Sequence, residues 1–139
     1  MAGAITIRVI TPERVLVDSS ADRVRFPGYD GSIGVLPRHA HMVSAVDAGE
    51  LTWDGPDGRG TMFVAGGFAE VRANTLRIVT QAGELASDID VERAKAAADR
   101  ARERLSLTGT VLKREELDDL RAQASLRRAT MRLRVAQGR

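Results

Sequence analysis

The distribution of glycine and proline changes abruptly after residue 86, and this change constrains the fold more than any other feature. All 4 prolines and 11 of the 13 glycines lie in residues 1–86. Residues 87–139 contain only Gly109 and Gly138. Since both residue types interrupt helices and form turns, long helices are expected only in the second part. We therefore predict two domains, 1–86 and 87–139.

The first domain has the two-residue alternation of half-buried β-strands. Apolar and polar side chains alternate in Ile5–Val9, Arg23–Phe26 and Thr75–Ile78, so each strand has one buried and one exposed face. Turn-forming segments such as Pro27-Gly28 and Asp54–Gly58 separate the runs. No segment offers the long helical crossover expected between parallel strands. The pattern predicts an all-β domain, an antiparallel β-sandwich or barrel.

Two consecutive glycines, Gly66 and Gly67, precede Phe68 within this domain. Glycine inside a strand often marks a bulge or a site where another backbone comes close, and the Phe68 ring would then pack nearby. A plain strand start explains the pair equally well. Both interpretations stay open.

The second domain follows a helical period. Ser87-x-x-Asp90 resembles a capping box, which predicts a helix that starts at Ser87. Apolar residues then recur three and four positions apart in two stretches, separated by a break at 107–110. This pattern predicts an antiparallel two-helix hairpin, whose alanine-rich seam buries too little apolar area to be more than marginally stable alone. The apolar positions are Val91, Ala94, Ala98, Ala101 and Leu105 in the first helix and Ala122, Leu126, Ala129, Leu133 and Ala136 in the second.

Few residues are available for catalysis or metal binding. The chain has no cysteine, and its two histidines are His39 and His41. A Ser-His-Asp order, a Walker phosphate loop and a His-Glu-x-x-His motif are all absent from the sequence. The glycine-rich segment 28–34 leads into further strands rather than into a helix, so we interpret it as a turn. We predict no catalytic residue and no metal site.

The sequence also lacks the usual signs of membrane insertion or export. No apolar run approaches the roughly 18 residues that cross a bilayer. The N-terminus does not have the basic and then apolar layout of a signal peptide. These features predict a soluble, cytoplasmic protein.

Arginine dominates the charge of the second domain. Residues 1–86 carry a net charge of −2 and residues 87–139 carry +4, and 11 of the 13 basic residues in the second domain are arginine. Guanidinium groups match carboxylates and phosphates, which suggests an anionic partner. Six of these arginines lie on one flank of the apolar stripes, spaced 7 and 4 residues apart in each helix: Arg93, Arg100, Arg104, Arg121, Arg128 and Arg132.

Two interpretations of this arginine flank stay open. In the first, it is a solvated surface balanced by nearby acids such as Asp99, Glu103 and Asp118. In the second, an anion such as a phosphate chain neutralises the arginines and fastens the two helices together. A basic hairpin that binds nucleic acid is a further alternative. Against it, residues 87–139 have no aromatic residue for base stacking and carry 9 acids that would repel phosphate.

Several motifs together resemble one known family. The segment 26–39, Phe-Pro-Gly-Tyr-Asp-Gly-Ser-Ile-Gly-Val-Leu-Pro-Arg-His, is similar to the signature of the epsilon subunit of bacterial F-type ATP synthase. His41 and Ala48 depart from the pattern, because the family commonly has proline at both positions. The resemblance covers nearly the whole chain in order, through the further segments 48–51, 66–71, 89–94 and 126–133.

The resemblance implies a fold and a mechanism. An N-terminal antiparallel β-sandwich binds the gamma subunit of the central stalk and sits against the c-ring, with Ser32, Arg38 and His39 facing these partners. A mobile C-terminal hairpin inhibits ATP hydrolysis when it extends along gamma toward the alpha and beta subunits of the catalytic head, and permits turnover when it folds down. The family performs no covalent chemistry, requires no cofactor and is peripheral to the cytoplasmic face of the bacterial plasma membrane.

A regulatory ATP site is also implied by the resemblance. Some family members bind ATP in the folded-down state through an Ile-Asp-x-x-Arg-Ala motif, which this chain has at 89–94. ATP binding would then favour the folded, non-inhibitory state. The residues implied are Glu84, Ile89, Asp90, Arg93, Ala94, Arg100, Arg128 and Arg132.

Overall fold

The computed structural model describes residues 4–107 and 115–138. The chain forms two compact units, Met1–Ala86 and Ser87–Arg139. The boundary between them lies where the use of glycine and proline changes. The predicted helix break at 107–110 lies outside the described residues, apart from Leu107.

Within the described residues, the first unit consists of eight strands in one continuous, folded sheet. The strands pair in the order β2-β1-β7-β6-β5-β3-β4, and β8 pairs with β6. The strands are β1 (Ile5–Ile10), β2 (Val15–Ala21), β3 (Arg23–Gly28), β4 (Gly31–Val35), β5 (Met42–Gly55), β6 (Gly58–Arg72), β7 (Thr75–Val79) and β8 (Gly83–Leu85).

The two longest strands, β5 and β6, take part in both layers of the sandwich. β6 pairs with β7 through Phe68–Arg72 and with β8 through Met62–Val64. Between these stretches the ladder of β5 and β6 is interrupted at Asp47 and Gly66, although its register is the same on both sides. Gly66 and Gly67 have φ angles of 100° and 128°. These conformations let the long hairpin bend from one layer into the other.

Gly67 confirms the close backbone approach that the glycine pair suggested. A Cβ atom at Gly67 would overlap the carbonyl oxygen of Val79 in β7. A strand start does not explain the glycines, because β6 already begins at Gly58. The expectation that the Phe68 ring packs nearby is wrong in part, since this side chain is 48% exposed.

One strand pair contradicts the expectation of an entirely antiparallel domain. β1 and β7 run parallel, with Thr6 opposite Thr75 and Val9 opposite Ile78. The other ladders of the described strands are antiparallel. The prediction excluded parallel pairs because it found no helical crossover. The connection is made instead by the rest of the sandwich, since β2 to β6 lie between the two strands in sequence.

The core of the sandwich consists of the apolar members of the alternating pattern. Ile5, Ile7 and Val9 are fully buried, and they alternate with half-buried residues along β1. Burying one such side chain contributes about 1.5–3 kcal/mol. Burial alternates in the same way along β3 and β7, so the alternation predicted for these three strands is confirmed. Further large, fully buried side chains are Phe26, Leu51, Met62, Phe63, Leu76 and Ile78.

The second unit contains a short 3-10 helix (Ala86–Asp88, which begins at the boundary) and two α-helices, α1 (Val91–Leu107) and α2 (Glu115–Gln137). The prediction that the helix starts at Ser87 is wrong. Asp90 caps α1, because its Oδ1 accepts the N–H of Arg93 at 3.0 Å. A helix begins where free N–H groups find such an acceptor, and here Asp90 provides it.

The seam between α1 and α2 is built from the predicted alanines. Ala94, Ala98 and Ala101 are 0–4% exposed on α1, and Ala122 and Ala129 are 1–3% exposed on α2. The larger stripe residues of both helices are only half-buried. Because each alanine buries little apolar area, the two helices gain little from packing together. The predicted two-helix hairpin and its alanine-rich seam are confirmed, and the marginal stability of the hairpin stays a prediction.

Candidate functional site

Arginines of α1 and α2 lie at similar distances along their own helices. With a rise of about 1.5 Å per residue, Arg93 and Arg128 each lie about 20 Å along the helix from the connecting end. Arg100 lies about 10 Å from that end and Arg132 about 25 Å. All four occupy the same flank of the seam. We call them the arginine row, which is about 15 Å long.

The local acids do not neutralise the whole flank. Asp99 pairs with Arg102 at 3.4 Å, and Asp118 pairs with Arg121 at 3.8 Å. Within the described residues, Arg93 and Arg100 have no ion pair, and both are exposed. Asp99 and Asp118 thus pair with Arg102 and Arg121 rather than with the row, and both interpretations of the flank stay open.

The members of the row on α2 are partly engaged with their own surroundings. Arg128 donates from Nη2 to Ser125 Oγ at 3.3 Å. Arg128 and Arg132 are half-buried, and Arg132 also has a polar or electrostatic partner. Such partial burial restricts the side-chain rotamers, which lowers the entropy lost when the guanidinium groups bind an anion.

The other residues implied for ATP binding have visible structural roles. Asp90 uses Oδ1 to cap α1, which leaves Oδ2 for a further hydrogen bond. Ile89 and Ala94 are 8% and 4% exposed. Because both side chains are apolar and buried, they can offer a ligand only van der Waals contacts. Glu84 belongs to β8 of the first unit, opposite Phe63 of β6, and is half-buried with a partner of its own.

The three residues implied to face the stalk partners lie in and after β4. Ser32 is exposed near the start of the strand, opposite Pro27. Arg38 and His39 lie in the connection that leads to β5. Arg38 is exposed and has a φ of 64°, and the N–H of His39 donates to Leu36 O at 3.1 Å. The strand thus separates Ser32 from the other two along the chain.

Sequence analysis missed the residue that holds this connection. Asn74, in the turn between β6 and β7, accepts the N–H of Arg38 through Oδ1 at 2.7 Å and donates from Nδ2 to Ala4 O at 2.9 Å. The N–H of Ala73 also donates to His41 Nε2 at 3.3 Å. A turn signal marks the asparagine in the sequence, but its partners are far away in the chain.

Sequence analysis also missed a charged cluster on strands β3, β5 and β6. Arg23 Nε donates to Asp54 Oδ2 at 2.6 Å, and Arg59 Nε lies 3.9 Å from Asp54 Oδ1. The hydrogen bond from Arg23 lowers the pKa of Asp54 below its ordinary value, and the charges of Arg23, Arg59 and Arg25 add to this effect. The pair raises the pKa of Arg23 in turn.

The part of the chain that the structure describes has neither a metal-binding cluster nor a membrane-spanning helix. Residues 4–107 and 115–138 contain no group of three or more His, Cys, Asp or Glu side chains placed to hold a metal ion. Neither α1 nor α2 is long and apolar enough to cross a membrane.

A β-sandwich followed by an alanine-seamed helical hairpin defines a two-domain class of protein. Residues 4–86 match the family described as ATP synthase, Delta/Epsilon chain, beta-sandwich domain. Residues 87–137 match the family described as ATP synthase, Delta/Epsilon chain, long alpha-helix domain. The chain belongs to the ATP synthase delta/epsilon chain family.

Relatives of similar length support this membership. The chain is 38% identical over 135 residues to the ATP synthase epsilon chain of Nitratidesulfovibrio vulgaris, a match that covers 97% of each chain. It is 40% identical over 130 residues to the ATP synthase epsilon chain of Halalkalibacterium halodurans, covering 94% of this chain and 95% of the relative. The resemblance to the epsilon subunit is thereby confirmed, and so is the prediction of a non-catalytic subunit.

Solved structures with low sequence identity share the fold. A chain in the mitochondrial ATP synthase of Euglena gracilis, in a complex of OSCP, F1 and c-ring, matches with a TM-score of 0.77 and 19% identity, over 92% of this chain and 78% of that one. A chain in the central stalk and c-ring of the Tetrahymena thermophila enzyme matches with a TM-score of 0.59 and 16% identity, over 96% and 93%. The predicted sandwich-plus-hairpin architecture is confirmed.

Proposed function

We propose that this chain is the regulatory epsilon subunit of a bacterial F-type ATP synthase. Its sandwich joins the gamma subunit to the c-ring, at the cytoplasmic face of the membrane. Its hairpin inhibits ATP hydrolysis when it extends toward the alpha and beta subunits. The match of both domains to the delta/epsilon family, over residues 4–137, carries this proposal.

The weak seam supports a hairpin that can separate from its folded state. Among the described residues of α1 and α2, the buried side chains are alanines except for Val135, and each alanine contributes little free energy. Arg93 and Arg128 lie at similar distances along their helices, so folding the hairpin brings two positive charges of the same flank closer together, and they repel each other. A small difference in free energy between two states is what lets a ligand change their populations.

ATP is the ligand that the arginine row fits best. A triphosphate carries several negative charges along an extended chain, and the row offers guanidinium groups over about 15 Å. Arg93 and Arg128 face it from different helices, so only the folded hairpin presents both at once. Asp90 lies at the start of α1, where its free Oδ2 is available to an adenine amino group.

Binding to the folded state alone shifts the equilibrium by a predictable amount. A ligand at a hundredfold excess over its Kd stabilises the competent state by about 2.7 kcal/mol. This amount reverses a marginal equilibrium, because 1.4 kcal/mol already changes a population ratio tenfold. ATP would therefore relieve inhibition at concentrations well above its Kd.

Calorimetric titration of the full chain with ATP and Mg²⁺ tests the site. The variant Arg128→Ala/Arg132→Ala removes the α2 half of the row and should abolish ATP binding. Arg127→Ala/Arg134→Ala is the matched control, because it removes the same charge from the opposite, exposed flank of α2 and should bind ATP like the parent. Equal ATP binding by all three chains, or no binding by the parent at millimolar ATP, would show that the arginine row is only a solvated surface.

A further inference from the structure

Three arginines of the first unit lie together on one exposed face of the sandwich. In the antiparallel ladders, Asp54 of β5 lies opposite Arg23 of β3 on one side and opposite Arg59 of β6 on the other. Arg25 is two residues from Arg23 and therefore belongs to the same face of β3. All three arginines are exposed. Since the first unit carries a net charge of −2 and has eight arginines, this face is a local positive patch on an acidic domain.

The three arginines line a cleft of about 490 Å³, and a volume of this order is typical of a small-molecule site. Gly34 lies opposite Arg25 in the ladder of β3 and β4, and the space around its Cα is open. The strand therefore leaves room for a ligand beside Arg25. Thr52 and Leu36 also line the cleft and add a hydroxyl group and an exposed apolar side chain.

The carboxylate of Asp54 balances only part of the positive charge. Among the described residues that line the cleft, Asp54 is the only acid. Three guanidinium groups and one carboxylate leave a net charge of +2. Arg25 makes no ion pair or side-chain hydrogen bond with another described residue. Its charge acts on Asp54 only at longer range, so its donors are available to an anion.

Asp54 also restricts the two arginines that it contacts. Arg23 Nε donates to Asp54 Oδ2 at 2.6 Å, and Arg59 Nε lies 3.9 Å from Asp54 Oδ1. Both arginines turn Nε toward the carboxylate, which leaves their Nη groups as further donors. Their side chains are 68% and 63% exposed, so a ligand can reach them. Guanidinium groups that are held before binding lose less entropy when an anion arrives.

We propose that this cleft binds a phosphate group, either as inorganic phosphate or as the phosphomonoester of a small molecule. A phosphate dianion balances the net charge of +2, and its oxygens match the paired donors of guanidinium groups. A single carboxylate would balance only half of that charge. All lining residues belong to the first unit, so the cleft does not include the arginine row. The inference therefore does not depend on the proposed function.

NMR of the full-length chain tests the cleft directly. Inorganic phosphate is added at constant ionic strength, and sodium chloride is the reference titration. We expect saturable shifts of the Gly34 and Thr52 amides and of the Arg25 side-chain N–H with phosphate only. A parallel titration with glycerol 3-phosphate distinguishes the two sources of the group. A lower Kd for glycerol 3-phosphate identifies a monoester, and an equal or higher Kd identifies the free ion.

Four variants locate the phosphate on the chain. Arg25→Gln and Arg59→Gln should each raise the Kd roughly tenfold or more, because a charge-assisted hydrogen bond is lost. Both positions are exposed, so the fold should stay intact. Arg72→Gln removes the same charge from an exposed position at the end of β6, outside the cleft, and should bind like the parent. Arg128→Ala/Arg132→Ala changes only the hairpin and should keep the shifts of the cleft amides.

Three results would overturn the inference. Shifts that sodium chloride reproduces would show screening of the arginines and no bound phosphate. An unchanged Kd in both Arg25→Gln and Arg59→Gln would show that the cleft is not the site. Loss of the shifts in Arg128→Ala/Arg132→Ala would place the phosphate on the hairpin.

Discussion

Replacing Gly67 with alanine perturbs the point where the β5–β6 hairpin bends. The φ angle of 128° at Gly67 is one that residues with a side chain rarely adopt, which costs roughly 1–3 kcal/mol. The new Cβ would also overlap the carbonyl of Val79. Forcing β6 and β7 apart adds strain of roughly 1–3 kcal/mol. We expect a total loss of about 2–6 kcal/mol, which lowers the Tm of a domain this size by about 10 °C or more.

Two other glycines provide matched controls for this substitution. Gly58 has a φ of 106° but open space around its Cα, so Gly58→Ala adds backbone strain without a clash. Gly34 has open space and no positive φ, so Gly34→Ala adds neither. Gly34→Ala should therefore be the most stable of the three variants, Gly58→Ala less stable, and Gly67→Ala the least stable. Alanine at a compatible site can even stabilise a protein slightly.

The single tryptophan makes the assay specific for the sandwich. Trp53 packs partly buried against the core of the first unit, and it is the only tryptophan in the chain. Its fluorescence during thermal unfolding therefore follows that unit and not the hairpin. If Gly67→Ala melted together with Gly58→Ala, the close approach to Val79 would have no energetic effect. If it melted together with Gly34→Ala, the strain argument would be wrong as well.

Three further predictions concern the cap, a charged pair and the domain boundary. Asp90→Ala should lower the free energy of hairpin unfolding by about 1 kcal/mol because the cap is lost. Asp90→Ser should retain the helix content of the parent, as measured by far-UV circular dichroism. Equal helix content in the two variants would contradict the capping role. Arg23 lowers the pKa of Asp54 in the folded state. The parent should therefore have a larger free energy of unfolding than Asp54→Asn above the unfolded pKa of about 3.9. This difference should disappear as the pH falls through the lower pKa of the folded state. Urea titrations followed by Trp53 fluorescence check this, and a gap that persists unchanged at about pH 2 would refute it. A chain that ends at Ala86 should fold alone and retain gamma binding, and an unfolded spectrum would contradict the two-domain division.

The local features of the fold were predictable because they repeat at short range. Alternation in β1 placed Ile5 and Ile7 in the core, and the stripe that includes Ala98 and Ala129 placed those residues in the seam. The start of α1 was missed by one turn, since Ser87 and Asp90 both suit a cap. The choice between them depends on which backbone N–H groups are free. In the structure, the N–H of Arg93 donates a hydrogen bond to the Asp90 side chain.

Features that depend on distant pairs were not predictable from one sequence. The parallel pairing of β1 with β7 joins strands from opposite ends of the domain, and no local signal marks it. Asn74 looks like an ordinary turn residue until its bonds to Ala4 and Arg38 are seen. The spacing of the arginines predicted their flank. That Arg93 and Arg100 make no ion pair with another described residue is visible only from the positions of the acids.

The most direct test of a ligand-controlled hairpin is the rate of ATP hydrolysis by the assembled enzyme as ATP is raised. With the parent chain, we expect inhibition at low ATP that is released as ATP fills the arginine row. With Arg128→Ala/Arg132→Ala, inhibition should persist at concentrations that release the parent, while Arg127→Ala/Arg134→Ala should follow the parent. Release of all three enzymes at the same ATP concentration would contradict the regulatory role of the row.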